Sequence, residues 1–267
     1  MNESPYFFGT AGWSYKDWYG TVYPASVPKD FNHLQFLAEQ MDFVEVNTSF
    51  YRIPSLKLTQ GWVKKTETIE NFQFWMKIHQ NFTHHRQVAK QEVIDFKRAL
   101  EPLEQASKLS GLLAQFPYSF KLNTGHLNYV LALAEKFREY PLAIEFRHKS
   151  WNRKELFEVF KEKKLIWVNI DQPMVSLSLP ITAEVTHPEM SYFRLHGRNE
   201  RSWFSNEGRD ARYDYDYSML ELNQIAKKIK ELVALAKKIF ISGNNHYKGS
   251  AHKNLLDLKK ILEKPLS

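Results

Sequence analysis

Cysteine is absent from the 267 residues. That excludes disulfides and any zinc or iron–sulfur centre held by thiolates, and it fits a reducing compartment. No run approaches the roughly 18 consecutive apolar residues of a membrane span, and Met1-Asn2-Glu3-Ser4-Pro5 lacks a basic segment followed by an apolar one. A cytoplasmic protein with no membrane partner is expected. Also missing are a His-Glu-x-x-His motif, a Walker A loop and a dinucleotide fingerprint. Ser14, Ser49 and Ser205 lack a nucleophile-elbow context, which argues against a serine hydrolase.

What is present describes an ordinary globular chain: 43% hydrophobic and 25% charged residues, with aromatics somewhat abundant at 15%. The formal charge of +7 favours anionic partners. Much of that excess falls in exposed helical runs such as Lys161-Glu162-Lys163-Lys164 and Lys227-Lys228, where a solvated surface accounts for it.

Eight strand-like runs can be placed at Tyr6–Gly9, Phe43–Asn47, Phe72–His79, Gly111–Phe116, Leu142–Phe146, Ile166–Asp171, Ser191–His196 and Lys238–Ser242. Amphipathic helical stretches follow many of them, over Phe31–Gln40, Val88–Leu109, Leu127–Tyr140, Lys154–Lys164 and Leu222–Val233. Strand–helix alternation without a linker predicts one domain over residues 1–267, an α/β TIM barrel of eight parallel strands, for which about 250 residues is typical. An open doubly wound sheet is the alternative. Two long connections stand out, Thr10–Lys29 and Gly197–Asp216. The first reads as a cap on one barrel end, the second as a lid or a charged surface loop holding Arg198, Arg201, Glu207, Arg209 and Arg212.

Within the strands, polar residues recur with period two beside aliphatic ones. Strands covered by helices on one side and a packed barrel on the other should be apolar on both faces, so polar groups at their carboxyl ends point to a ligand site. Glu45, Glu145, Asp171 and His196 are the candidate catalytic groups. Lys77, Arg147 and Arg194 are the candidate anion clamp, with Asn47, Gln115, Asn244 and Asn245 as further polar contacts and Trp18 and Tyr51 as aromatic ones. Three acids would face three permanent bases. The competing structural account is a closed ion-pair network, Glu145 with Arg147 or Arg194 and Asp171 with Lys77; desolvation makes so large a network a costly filler. No metal ligand is assigned, because the spacing carries no metal signature and three cations oppose a divalent ion while stabilising phosphate or carboxylate. Trp62 and Trp75 read as core packing.

The chain resembles the YecE-like family, a domain of unknown function. The resemblance is carried by Gly9-Thr10-Ala11-Gly12-Trp13-Ser14-Tyr15 with Trp18 and Tyr23-Pro24, and by Val44-Glu45-Val46-Asn47-Thr48-Ser49-Phe50-Tyr51-Arg52-Ile53-Pro54. Leu112-Leu113-Ala114-Gln115-Phe116-Pro117, Glu145-Phe146-Arg147-His148, Arg194-Leu195-His196-Gly197 and Asn244-Asn245 extend it over nearly the whole length. It implies a TIM barrel and supplies no established reaction. The leading functional expectation is a barrel that binds an anionic or phosphorylated small molecule or nucleotide, with acid–base chemistry of a hydrolase or lyase kind and no cofactor. Nucleic-acid binding or phosphodiester processing by a basic aromatic rim is the second reading. Metal-dependent sugar or phosphoester chemistry is the third, and the sequence leaves the oligomeric state open.

Overall fold

A computed structural model describes residues 4–203 and 210–263; Met1, Asn2, Glu3, Ser205, Glu207 and Arg209 lie outside them. Eight strands, β1 (Tyr6–Ala11), β2 (Phe43–Val46), β3 (Gln73–Lys77), β4 (Leu109–Gln115), β5 (Leu142–Glu145), β6 (Ile166–Asp171), β7 (Met190–Leu195) and β8 (Lys238–Gly243), form a closed barrel in sequence order. All neighbours are parallel, and closure runs from Tyr6 opposite Ile239 to Thr10 opposite Gly243. The helices are α1 (His33–Ala38), α2 (Thr48–Tyr51), α3 (Leu56–Lys65), α4 (Lys90–Gln105), α5 (Thr124–Lys136), α6 (Lys154–Glu162), α7 (Glu200–Trp203), α8 (Met219–Val233) and α9 (Ser250–Leu262). This is the expected TIM-type architecture.

The lower barrel interior is aromatic. Phe43 meets Phe240 and Trp75 meets Tyr192 edge to face, with ring centroids 5.4 and 4.5 Å apart, and Tyr192 stacks on Phe240. Space for this layer comes from glycine: a Cβ on Gly9 would lie 2.3 Å from the Phe43 carbonyl, and one on Gly111 2.8 Å from the Trp75 ring. Large residues on some strands thus fill the barrel opposite residues with no side chain on others.

Several local expectations are corrected. The stretch Val88–Leu109 ends as a helix at Gln105 because Ser107 turns left-handed at φ 55°. Ser107 N–H then donates to Glu104 and Lys108 N–H to Leu103, closing the helix with a Schellman motif. Lys164, at φ 52°, ends α6 the same way, with Leu165 N–H donating to Phe160. Helix α3 was not anticipated; Ser55 caps it by accepting from Leu58 N–H. No helix joins β6 to β7. Residues 172–189 run irregularly, tied down by Asn169, which donates to the Glu184 carbonyl and accepts from Glu184 N–H and the Thr182 hydroxyl. Among the described residues no helix is long and apolar enough to cross a membrane.

Candidate functional site

Above the aromatic layer the inward face turns polar. Glu45 on β2 accepts four hydrogen bonds: from Arg194 Nε at 2.8 Å and Nη2 at 2.5 Å, from Tyr192 Oη at 2.9 Å and from Ser242 Oγ at 3.2 Å. The Nη1 atom of Arg194 bonds Glu145 on β5. The other Glu145 oxygen lies 2.6 Å from Arg147 Nε and 3.4 Å from His196 Nε2. Glu45, Glu145 and His196 are fully buried, and Arg194 is nearly so. Taking four such groups out of water is costly, and their mutual pairing offsets that cost only while the set is complete.

Electrostatics fix the protonation states. Burial alone would raise the pKa of Glu145, but Arg147, Arg194 and His196 outweigh it and hold the carboxyl well below the usual range. Burial, then Arg147, lowers His196 to about 3, so its imidazole is neutral; Asn244 Nδ2 donates to its Nδ1 at 2.9 Å, which turns the Nε2 proton towards Glu145. Burial also opposes charge on Arg194, yet Glu145 and Glu45 together drive its pKa upwards. Tyr192 is raised well above 10.0 by burial and by Glu45. Its hydroxyl stays a proton donor.

Lys77 on β3 and Arg147 after β5 are held more loosely. Lys77 Nζ donates to Gln115 Oε1 at 2.8 Å and stands 4.4 Å from the centre of the Phe50 ring. Burial, followed by repulsion from Arg194, lowers its pKa to about 7 against the pull of Glu45 and Glu145. Arg147 makes only long contacts besides its ion pair, 3.3 Å to Gln172 Oε1 and 3.5 Å to His196 Nδ1, and its guanidinium lies 5.4 Å from the Trp203 ring centre.

These cations border open space at the carboxyl end of the barrel. A cavity of about 60 Å³ has Arg194, Lys77, Arg147, Gln115, Asn47 and Asn244 around it, with Tyr15, Tyr51, Tyr213 and His246 closing its outer side. A larger one of about 380 Å³ shares Tyr51, Lys77, Gln115 and Arg147 and adds Trp203, Arg212, Tyr118 and His84. A third, about 250 Å³, lies beside Asn47 between Trp13, Tyr15 and Tyr51. Water needs about 10–15 Å³ on this measure, so even the smallest admits a compact polar group.

The expected residues divide into three groups. Asn47, Tyr51, Lys77, Gln115, Arg147, Arg194 and Asn244 line the small cavity. Glu45, Glu145 and His196 lie beneath it with no exposed surface and reach it only through Arg194 and Arg147. Asp171, Trp18 and Asn245 are elsewhere. The inward residues of β6 are Val168 and Ile170, followed by Gln172, so Asn169 and Asp171 point outwards. Asp171 is held there by Arg198 Nε and Nη2 at 2.9 and 2.6 Å and by Tyr217 Oη at 2.7 Å, and the expected Asp171–Lys77 pair does not form. Trp18 is buried, its indole N–H bonded to the His246 carbonyl at 2.7 Å. Asn245 Nδ2 bonds the Tyr215 carbonyl and Asn254, fixing a turn.

Tyr192, Ser242 and Gln172 were not anticipated. Each is two positions from an inward residue on its strand, a signal present in the sequence. Tyr15 and His246 come from loops and Tyr213 from a short 3-10 turn over Asp210–Tyr213, where strand parity says nothing. At the start of α9 the backbone N–H of Lys248 is occupied by the Asp17 carboxylate at 2.6 Å, so the first long connection caps that part of the barrel end.

The model of the family described as "Protein of unknown function DUF72" matches residues 7–266. The chain belongs to this family, to which the YecE-like motifs had pointed. It is 30% identical over 272 residues to the UPF0759 protein YunF of Bacillus subtilis (strain 168), covering 96% of this chain and 94% of that relative. Among solved structures, a DUF72 family protein from Thermotoga maritima MSB8 is 35% identical at a TM-score of 0.84, covering 98% of this chain and all of that one. Another from Enterococcus faecalis V583 is 26% identical at the same TM-score, over 98% of this chain and 97% of that one. The fold is therefore common to this chain and both solved DUF72 structures.

Proposed function

We propose that this DUF72 barrel, acting in the cytoplasm, binds a phosphorylated or otherwise anionic small molecule in the cavity between Lys77, Arg147 and Arg194. The carrying observation is a count of charge. With Asp171 turned outwards to Arg198, three cations stand against two carboxylates, and the imidazoles of His196 and His84 are neutral, with pKa values lowered to about 3 and 4. With Lys77 protonated the cluster is one negative charge short; burial, then repulsion from Arg194, lowers the Lys77 pKa to about 7. A bound anion supplies that charge where Lys77 keeps unused donors and Arg147 has only long hydrogen bonds.

Asn47 Oδ1 has no hydrogen-bond partner and lies at the same cavity, which favours a ligand that also carries a hydroxyl. The neighbouring space beside Trp203, Tyr118 and Tyr213 suits a flat ring, so a mononucleotide is the larger ligand of the same class. Acid–base chemistry at a bound ligand falls to Lys77, because Glu45, Glu145 and His196 are sealed below it and act by setting its charge. The metal-dependent reading gains nothing here: both carboxylates are already engaged by guanidinium groups.

Calorimetric titration with inorganic phosphate and with a nucleoside monophosphate, at matched ionic strength, tests the reading. Saturable binding that Arg147→Met weakens by about tenfold or more is expected, the loss of one charge-assisted contact. Heat indistinguishable from that of chloride would sink it. Binding of a long polynucleotide alone, with a steep salt slope, would favour the nucleic-acid reading instead.

A further inference from the structure

Among the three cations only Lys77 can become a nucleophile, since guanidinium stays protonated. Its Nζ donates one hydrogen bond, to Gln115 Oε1, and otherwise faces the Phe50 ring and the two cavities of about 60 and 380 Å³. The aromatic face shields the amine from water on one side, and both cavities give a ligand access to it on the other. Gln115 is anchored in turn, its Nε2 donating to the Phe116 carbonyl at 2.8 Å, so the acceptor that aims the amine is fixed. An amine aimed into a cavity by a rigid acceptor, with two guanidinium groups bordering the same space, is the arrangement imine chemistry requires.

We propose that Lys77 forms an imine with an aldehyde or ketone that carries a phosphate or carboxylate, the anionic end being held by Arg147 and Arg194. The inference rests on the anion reading above and names its substrate class. In the first step the Nζ lone pair adds to the carbonyl carbon while the C=O π pair moves to oxygen. A proton passes from nitrogen to that oxygen, giving a carbinolamine. The hydroxyl then leaves as water with one proton from solvent, and the nitrogen lone pair forms C=N. The sum is amine plus carbonyl plus one proton to protonated imine plus water, with no change of oxidation state.

The charged groups around Nζ bear on this step, and Tyr51, Tyr118, Tyr213 and Arg212 border the same space. Burial and Arg194, with a smaller contribution from Arg147, favour the free amine, and Glu45 and Glu145 oppose them, leaving about half of Lys77 unprotonated near pH 7. His84 faces it as a neutral ring. A protonated imine has the charge of the ammonium it replaces, so Glu45 and Glu145 stabilise the product without rearrangement.

The test uses glycolaldehyde phosphate and neutral glycolaldehyde as a matched pair, with cyanoborohydride to trap any imine and peptide mass mapping to locate it. Trapping concentrated at Lys77 is expected, rising with pH about a midpoint near 7 and about tenfold greater for the phosphorylated aldehyde. Arg147→Met should erase most of that preference. Lys77→Arg, checked for folding by circular dichroism, should abolish the site-specific adduct. Adducts spread over surface lysines with no excess at Lys77, while phosphate still binds, would overturn the imine and leave the anion reading intact. Equal trapping of both aldehydes at Lys77 with no binding of phosphate would overturn the anion reading and leave the nucleophile.

Discussion

Arg194 meets Glu45 edge to edge inside the barrel, Nε and Nη2 each donating to a different carboxylate oxygen at 2.8 and 2.5 Å, while its Nη1 holds Glu145. One side chain thereby bonds two buried acids. Arg194→Met should cost about 3–5 kcal/mol, the usual consequence of leaving buried charge unpaired. Urea denaturation would measure it. The double variant Glu45→Met with Arg194→Met should recover part of the loss, and full additivity would show that the two residues do not act as a unit.

Lys77 gives stability an uncommon pH dependence. Its folded pKa, about 7, lies below the ordinary 10.5. Between those values the unfolded chain binds the extra proton, so this residue adds stability as pH rises from 7 to 10.5, by up to about 1.4 kcal/mol per unit, and loses it as pH falls towards 7. Lys77→Met removes the dependence. The variant should therefore gain on wild type at pH 6 relative to pH 9 in denaturant titrations, and a constant difference between the two pH values would contradict the assignment.

Anion affinity should follow the same proton in the opposite sense. Sulfate, whose charge is constant over this range, should bind more tightly as pH falls through 7 and Lys77 gains its charge. Above 7 the affinity should weaken by up to about tenfold per unit. In Lys77→Met the profile should be flat. A wild-type profile without slope between pH 7 and 9 would separate Lys77 from the binding site.

Asp171 offers a control. Its carboxylate is engaged by Arg198 and Tyr217 on the outer side of β6, so Asp171→Asn should lower stability by about 1–3 kcal/mol and leave sulfate affinity unchanged. A parallel tenfold loss of affinity would return Asp171 to the site.

Several strands were legible because period-two alternation survives in them, as in Val44–Asn47 and Phe193–His196, and their order followed from alternation with helices. Helix ends were less so. The left-handed positions that close α4 and α6 are filled by Ser107 and Lys164, where glycine would have been the readable sign. Helix α3 was hidden by Thr59 and Gly61 within its apolar pattern. At the site, strand parity brought Glu45, Glu145 and Arg194 together correctly but was assigned to the wrong face of β6. Asp171 reads as an inward residue because a carboxylate at a strand end resembles chemistry, whereas its partner Arg198 lies 27 residues later in a loop. Which of the inward groups touch solvent could not be inferred either, since that depends on loops such as the one bearing Tyr213.

The connection over residues 172–189 leaves one sector of the barrel without a helical buttress. Gln172 at its start holds both the Arg147 guanidinium and the Arg147 carbonyl, and further along Leu179 N–H donates to that same carbonyl. Breathing of this strap would therefore slacken a cavity-lining arginine while the aromatic layer below stays shut. Among the described residues this is the sector with no helix between its strands, so amide exchange should be fastest there before it spreads to the strands.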